Sequence, residues 1–212
     1  MTRQTTLRPH HLLAFACALT ALTSPVASAE EPWVVDQSYV ADSGQKVVKQ
    51  TFVVEAPIRT VWELYTTAAG MQSWAAPAVE IDLRIGGMLR SNFTAGTKIG
   101  DPGTVTSEIT NLIPGQEITV RDDLIHLLTL GGLHEWVEMF PESFLRQLEN
   151  EGDDVFTTTR FEAVGEKETR LTVFSYGYGT GANWERVHDE AKQSNLWFFN
   201  NLAKRIAAGP ID

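Results

Sequence analysis

The chain has 212 residues, 43% of them hydrophobic, with 17 basic against 27 acidic side chains and a formal net charge of −10. That length suits one domain with a sizeable core, and the acidic balance argues against binding a phosphate backbone, which needs clustered Lys and Arg. With one cysteine, Cys17, an internal disulfide framework is excluded.

The first residues read as a targeting segment. Arg3 and Arg8 give a positive start, Leu12 to Leu22 is a short apolar stretch, and Ala27-Ser28-Ala29 presents small residues to a signal peptidase. The stretch is too short to span a bilayer, and no twin arginine precedes it. Cleavage after Ala29 and a periplasmic or secreted protein are expected. Cys17 would leave with the segment, and thiol catalysis with it. A lipoprotein reading of Cys17 fails on Ala14, which stands where leucine is usual.

Residues 30–45 form a polar leader expected to lie extended over the surface. Lys46 to Glu55, rich in Val, Phe and Thr, reads as a strand. Pro57 fits the first position of a helix whose apolar side carries Val61, Trp62, Leu64 and Tyr65. Gly70 is expected to end that helix, with another short turn over Met71 to Ala75. Strands follow over Val79 to Arg84, Met88 to Thr94, Thr104 to Ile113 and Gln116 to Asp122. Alternation puts Val105, Ile109 and Ile113 on one face of their strand, and Ile118 and Val120 on one face of the next. Asn92-Phe93-Thr94 is a glycosylation sequon, relevant only in a eukaryotic secretory pathway.

Val155 to Val164 and Thr169 to Gly177 read as a hairpin across Gly165-Glu166-Lys167. A helix is expected from Asn183 to Ala207, with Trp184, Val187, His188, Ala191, Asn195, Phe198, Phe199, Leu202 and Ile206 on one stripe. Gly209-Pro210 would stop it. The economical solution is an α+β helix-grip fold over residues 46–208: a curved antiparallel sheet wrapped around the long C-terminal helix.

These elements carry a resemblance. Ala56-Pro57, Val61-Trp62, Trp74, Pro77, Asp82-Leu83-Arg84, Gly86-Gly87, Glu108 and Pro114, with Leu202 and Ile206, resemble the START-like (SRPBCC) superfamily. Within it they are similar to the branch of homologues of an activator of a heat-shock chaperone ATPase. The resemblance implies the helix-grip fold and a cavity for lipids, sterols, polyketides or other apolar molecules. A minority of the superfamily are cyclases or dehydratases. Chaperone activation belongs to a few cytosolic relatives, and an exported protein would not meet that partner.

Two departures stand out. Asn195 falls where the family usually has Trp, and a polar amide on an apolar stripe is costly unless hydrogen-bonded. It bonds either a nearby backbone group or buried water, or it faces a ligand. The second departure is a helical insertion at 124–149, where Leu133, Trp136, Val137, Phe140, Phe144, Leu145 and Leu148 keep helical spacing. Pro141 divides it into two pieces and Glu142 is spaced to pair with Arg146. Gly131-Gly132 is a possible hinge. The insertion is either a cap over one end of the sheet or a lid over the cavity.

No nucleophile elbow or Ser/His/Asp set stands out. His134-Glu135 begins like a zinc-protease motif, but Glu138 replaces its second histidine. His126, His134 and Glu138 are the metal candidates, and surface or capping roles are the ordinary alternative, so neither metal nor cofactor is expected. Asp122-Asp123 and Asp153-Asp154 read as solvated strand ends, and Arg84 as the partner of Asp82. Ligand contacts are expected at Trp74, Phe93, Phe140, Thr157, Thr159, Phe161, Tyr176, Trp184, Asn195 and Phe198, with Tyr178 also at the rim. Val155, Thr157, Thr159 and Phe161 alternate to one face, and scattered hydroxyls among apolar residues suit a greasy pocket. They suit a packed sheet equally.

The sequence thus points to an exported domain binding a small apolar or amphipathic molecule, as a carrier or sequestering module. Its partners would exclude nucleic acid and a stable membrane span. The alternatives are a cyclase- or dehydratase-type enzyme using His188, Tyr176 and Glu185, and an interaction module using the inserted helices.

Overall fold

The structure, a computed structural model, describes residues 33–122, 124, 140–151 and 155–209. The targeting segment, Asp123, Asp153-Asp154 and residues 125–139 of the insertion, with its histidines, all lie outside these residues.

Nine antiparallel strands form the sheet: β1 (Val34–Asp36), β2 (Tyr39–Val40), β3 (Lys46–Val54), β4 (Ala78–Ile81), β5 (Met88–Asn92), β6 (Val105–Ile113), β7 (Glu117–Asp122), β8 (Val155–Gly165) and β9 (Glu168–Tyr176). Their order is β1-β3-β9-β8-β7-β6-β5-β4, with β2 beside β1 on the free edge of β3. Helices α1 (Ile58–Thr66) and α2 (Ala68–Gln72) follow β3. Helix α3 (Glu142–Glu151) precedes β8, and α4 (Ala182–Ala207) ends the chain. The helix-grip expectation is met.

The leader is not merely draped over the surface. Val34 pairs with Phe52 and Tyr39 with Val47, so residues 34–40 add two strands to the β3 edge. The bend between them is held by the Gln37 amide donating to Lys49 O at 2.8 Å. The apolar pairs of this segment supplied a strand signal that its polar flanks obscured.

Gly70 does not end α1. Thr67 does, and it opens α2 as well: its hydroxyl donates to Glu63 O at 2.8 Å and accepts from Gly70 N at 3.0 Å. Gly70 sits inside α2 because the two helices touch there. A Cβ on it would stand 2.5 Å from Glu63 O and 2.7 Å from Leu64 Cα. Trp74 then donates its indole N–H to Leu64 O at 3.0 Å, tying the turn after α2 back to α1.

Ile113 is a second correction. A bulge between Ile109 and Asn111 shifts the β6 register against β7, so alternation resumes on the other parity. Leu112 now packs on the core and Ile113 is 43% exposed. Asn92, the sequon asparagine, is fully buried at the end of β5. Its amide donates to Pro102 O at 3.2 Å and accepts from Thr94 N at 3.1 Å.

Two apolar clusters hold α4 in the sheet. One joins Phe52, Val61, Leu64, Ile109, Phe161, Leu171, Phe199 and Leu202 near α1, where the Phe52 and Phe199 rings lie 3.9 Å apart. The other, at the opposite end, joins Val48, Leu124, Phe140, Phe144, Leu148, Val155, Tyr178 and Val187. Helix α3 starts after Pro141 as expected and carries the Glu142–Arg146 pair at 3.1 Å. Its apolar residues Phe144 and Leu148 are buried in this second cluster, so α3 covers that end of the sheet. Basic Lys204 and Arg205 sit in the last turn of α4, where the helix dipole favours them.

Candidate functional site

Between the two clusters the sheet and α4 do not meet. They enclose a cavity of about 230 Å³, roughly the volume of eight liquid waters. Its floor is the inner face of β4 to β9, its roof the α4 residues Val187 to Phe199, and α1–α2 with Trp74 closes one side. Leu124 and Tyr178 stand on the other side. A second, open groove runs between residues 72–77 and α4, and Trp74, Phe93 and Phe198 line both spaces. Phe198 meets Trp74 and Phe93 edge to face, with ring centres 6.2 and 6.1 Å apart. This aromatic trio is therefore the wall between cavity and groove.

Of the expected contacts, Trp74, Phe93, Thr157, Thr159, Asn195 and Phe198 come together in the cavity wall. Four others stand elsewhere. Phe161 continues the Thr157–Thr159 face but packs between Trp62 and Tyr65, with ring centres 5.2 Å from each. Phe140 and Trp184 both meet Phe144, in the cluster capped by α3. Tyr176 alternates with the inward Ser175 and so lies on the outer face, stacked on Phe156 at 5.5 Å.

The Asn195 amide takes neither expected partner. It donates to the Oε1 of Gln50 at 2.9 Å, and the Gln50 amide reaches Lys192 O at 3.4 Å. Gln50 projects from the inner face of β3 and is 2% exposed, so the pair is a polar strut between sheet and helix.

The polar centre of the cavity is a residue expected in solvent. Asp122 continues the Ile118–Val120 face of β7 and lines the cavity. Ser107 donates to its Oδ1 at 2.9 Å and Thr157 to its Oδ2 at 2.8 Å. Burial outweighs those two donors and raises the carboxyl above the usual carboxylate range. Burial likewise raises Tyr65, whose hydroxyl is 3.1 Å from that of Thr159, and the Asp122 charge adds to the rise. Tyr178 is raised in the same way. Its buried hydroxyl has no hydrogen-bond partner among the described residues; Ser175 is close enough to ease the shift without completing a bond. Among the described residues the cavity wall contains one carboxyl and no Lys, Arg or His.

The acid–base candidates do not converge. Glu185 pairs with Lys46 at 3.0 Å on the surface. Tyr176 is on the outer face, and His188 packs edge-on to the Tyr178 ring with centres 5.4 Å apart. The metal candidates His126, His134 and Glu138 lie outside the described residues, among which no group of three metal-ligating side chains occurs. Arg84 pairs with Asp82 at 2.9 Å, both exposed. No helix among the described residues is long and apolar enough to cross a membrane.

A search of the curated proteins found no match. Among solved structures, CalU16 from Micromonospora echinospora is similar, with 16% identity and a TM-score of 0.52 over 84% of this chain and 85% of that one. Protein MLL2253 from Mesorhizobium loti is 13% identical, with a TM-score of 0.54 over 78% of this chain and 99% of that one. At such identities the likeness is one of fold. The family model described as "Activator of Hsp90 ATPase homolog 1-like protein" matches residues 55–204, a span from the end of β3 to the last turn of α4. The chain belongs to that family, within the START-like fold.

Proposed function

We propose that this protein is an exported carrier or sequestering module that holds one small apolar or amphipathic molecule between its sheet and α4. The observation that carries the reading is the cavity itself. Packed interiors leave few voids larger than a water, yet here an apolar space with a few convergent polar groups persists between two well-filled clusters. That combination is what small-molecule sites have in common. The open groove beside Trp197 and Phe198 supplies an approach to it. The separation of His188, Tyr176 and Glu185 lends no support to the enzyme reading, and the burial of Phe144 and Leu148 leaves α3 without an apolar face for a partner.

Native mass spectrometry of protein purified from its own cell compartment tests the reading. A co-purifying mass matching a small apolar molecule is the expected result. Protein that stays empty after incubation with a lipid extract would overturn it. Export is tested in the same preparation, since the processed chain should begin at Glu30.

A further inference from the structure

Asp122 is out of place in a wall that is otherwise apolar or hydroxylic. Carboxylates withdrawn from water are ordinarily paired with a cation, and no cation among the described residues pairs with this one. Its neighbours deepen the anomaly. Ser107 and Thr157 both turn their hydroxyl protons toward it, at 2.9 and 2.8 Å. They favour the negative form against the burial that opposes it, and a cation in the cavity would supply what they leave uncompensated. Among the described residues these two hydroxyls are its side-chain donors, one to each oxygen, and each oxygen has a second lone pair for a further donor.

We propose that the occupant of this cavity is an amphipathic amine, its ammonium group against the Asp122 carboxylate and its apolar body among Trp74, Phe93 and Phe198. This rests on the cavity being a small-molecule site, and it names the chemistry of that molecule. The distribution of groups fits both ends. The carboxylate lies in the wall near Thr157 and Ser175, while the aromatic trio borders the open groove. A molecule entering apolar end last would fill the space between them. A carboxylate or phosphate ligand would meet Asp122 with like charge and find no base in the described wall. The acidic surface, with 27 acids against 17 bases, raises the local concentration of cations and repels anions.

The test uses three probes of matched shape: phenylpropylamine, phenylpropanol and propylbenzene. Each is titrated calorimetrically into the full chain and into Asp122→Asn, which keeps the shape but not the charge. Hydrogen bonds to a charged group give the amine an advantage of about ten- to a hundredfold over the alcohol. That advantage should vanish in Asp122→Asn while propylbenzene binds both proteins alike. Wild-type protein alone gives a second readout that needs no variant to fold. Acidification should weaken the amine, as Asp122 takes up a proton, and leave the alcohol unchanged. Tyr65 and Tyr178, which face Asp122, remain neutral over that range, and His188→Gln controls for the imidazole against Tyr178. Equal affinity for amine and alcohol, or a preference that survives Asp122→Asn, overturns the amine assignment while the cavity reading stands. If none of the three binds, the cavity reading falls and takes the amine with it.

Discussion

Replacing Asn195 by Leu removes one end of the strut between β3 and α4. Gln50 Oε1 then loses its donor at 2.9 Å, and its amide keeps only the long bond to Lys192 O at 3.4 Å. A buried acceptor left unpaired costs about 1–3 kcal/mol. Leu has the branching of Asn but is bulkier, so no cavity opens and the added apolar burial offsets only part of that cost. Asn195→Leu should therefore lose about 1–2 kcal/mol, or roughly 2–4 °C in Tm for each kcal/mol. Removing both partners is a different matter, because no orphan remains. Gln50→Leu alone orphans the Asn195 amide at a similar cost, so Gln50→Leu with Asn195→Leu should return close to wild-type stability, with a coupling energy of about 2–4 kcal/mol. Urea midpoints at constant slope measure all four corners of the cycle. Strict additivity of the two single changes would show that the amides do not depend on one another, and the strut would be refuted.

Two further changes probe other links. Folding raises the Asp122 pKa, so the folded protein holds that proton more tightly than the unfolded chain. The stability that Asp122 itself contributes is then fully present below about pH 3.9 and is lost toward the folded pKa by up to about 1.4 kcal/mol per pH unit. Asp122→Asn does not titrate, so it should gain on wild type as pH rises and then level off. A stability difference that is flat with pH would remove the buried-acid assignment. Phe144→Ala empties the cluster under α3, whose ring touches Phe140 and Trp184 at 5.4 and 5.5 Å. A loss of about 3–5 kcal/mol is expected, with Trp184 emission shifting red; an unchanged denaturation midpoint would mean that α3 does not cap the sheet.

The frame was legible because its signals are periodic. The α4 stripe and the β8 alternation each bury one face, and the structure follows both. Gly70 and Ile113 went astray where a contact or a bulge outweighed a local rule. Asp122 is the instructive miss. The Ile118–Val120 alternation extends by one step to Asp122, but its neighbour Asp123 made the pair look like a solvated strand end. Period two carried the better information. Nothing local marks Gln50 and Asn195 as partners, since the bond joins residues that only the gripped helix brings together.

The burial of Asn92 bears on where this chain can be made. Oligosaccharide transfer in a eukaryotic secretory pathway acts on Asn-x-Ser/Thr before folding. A glycan on the Asn92 amide nitrogen would occupy the atom that must reach Pro102 O and Thr104 Oγ1. It would also be forced into a position with no accessible surface. Secretion from a yeast or insect host should therefore yield a folded fraction equal to the unglycosylated fraction. A bacterial host carries no such tax, and the sequon is harmless there for as long as the strand forms untouched.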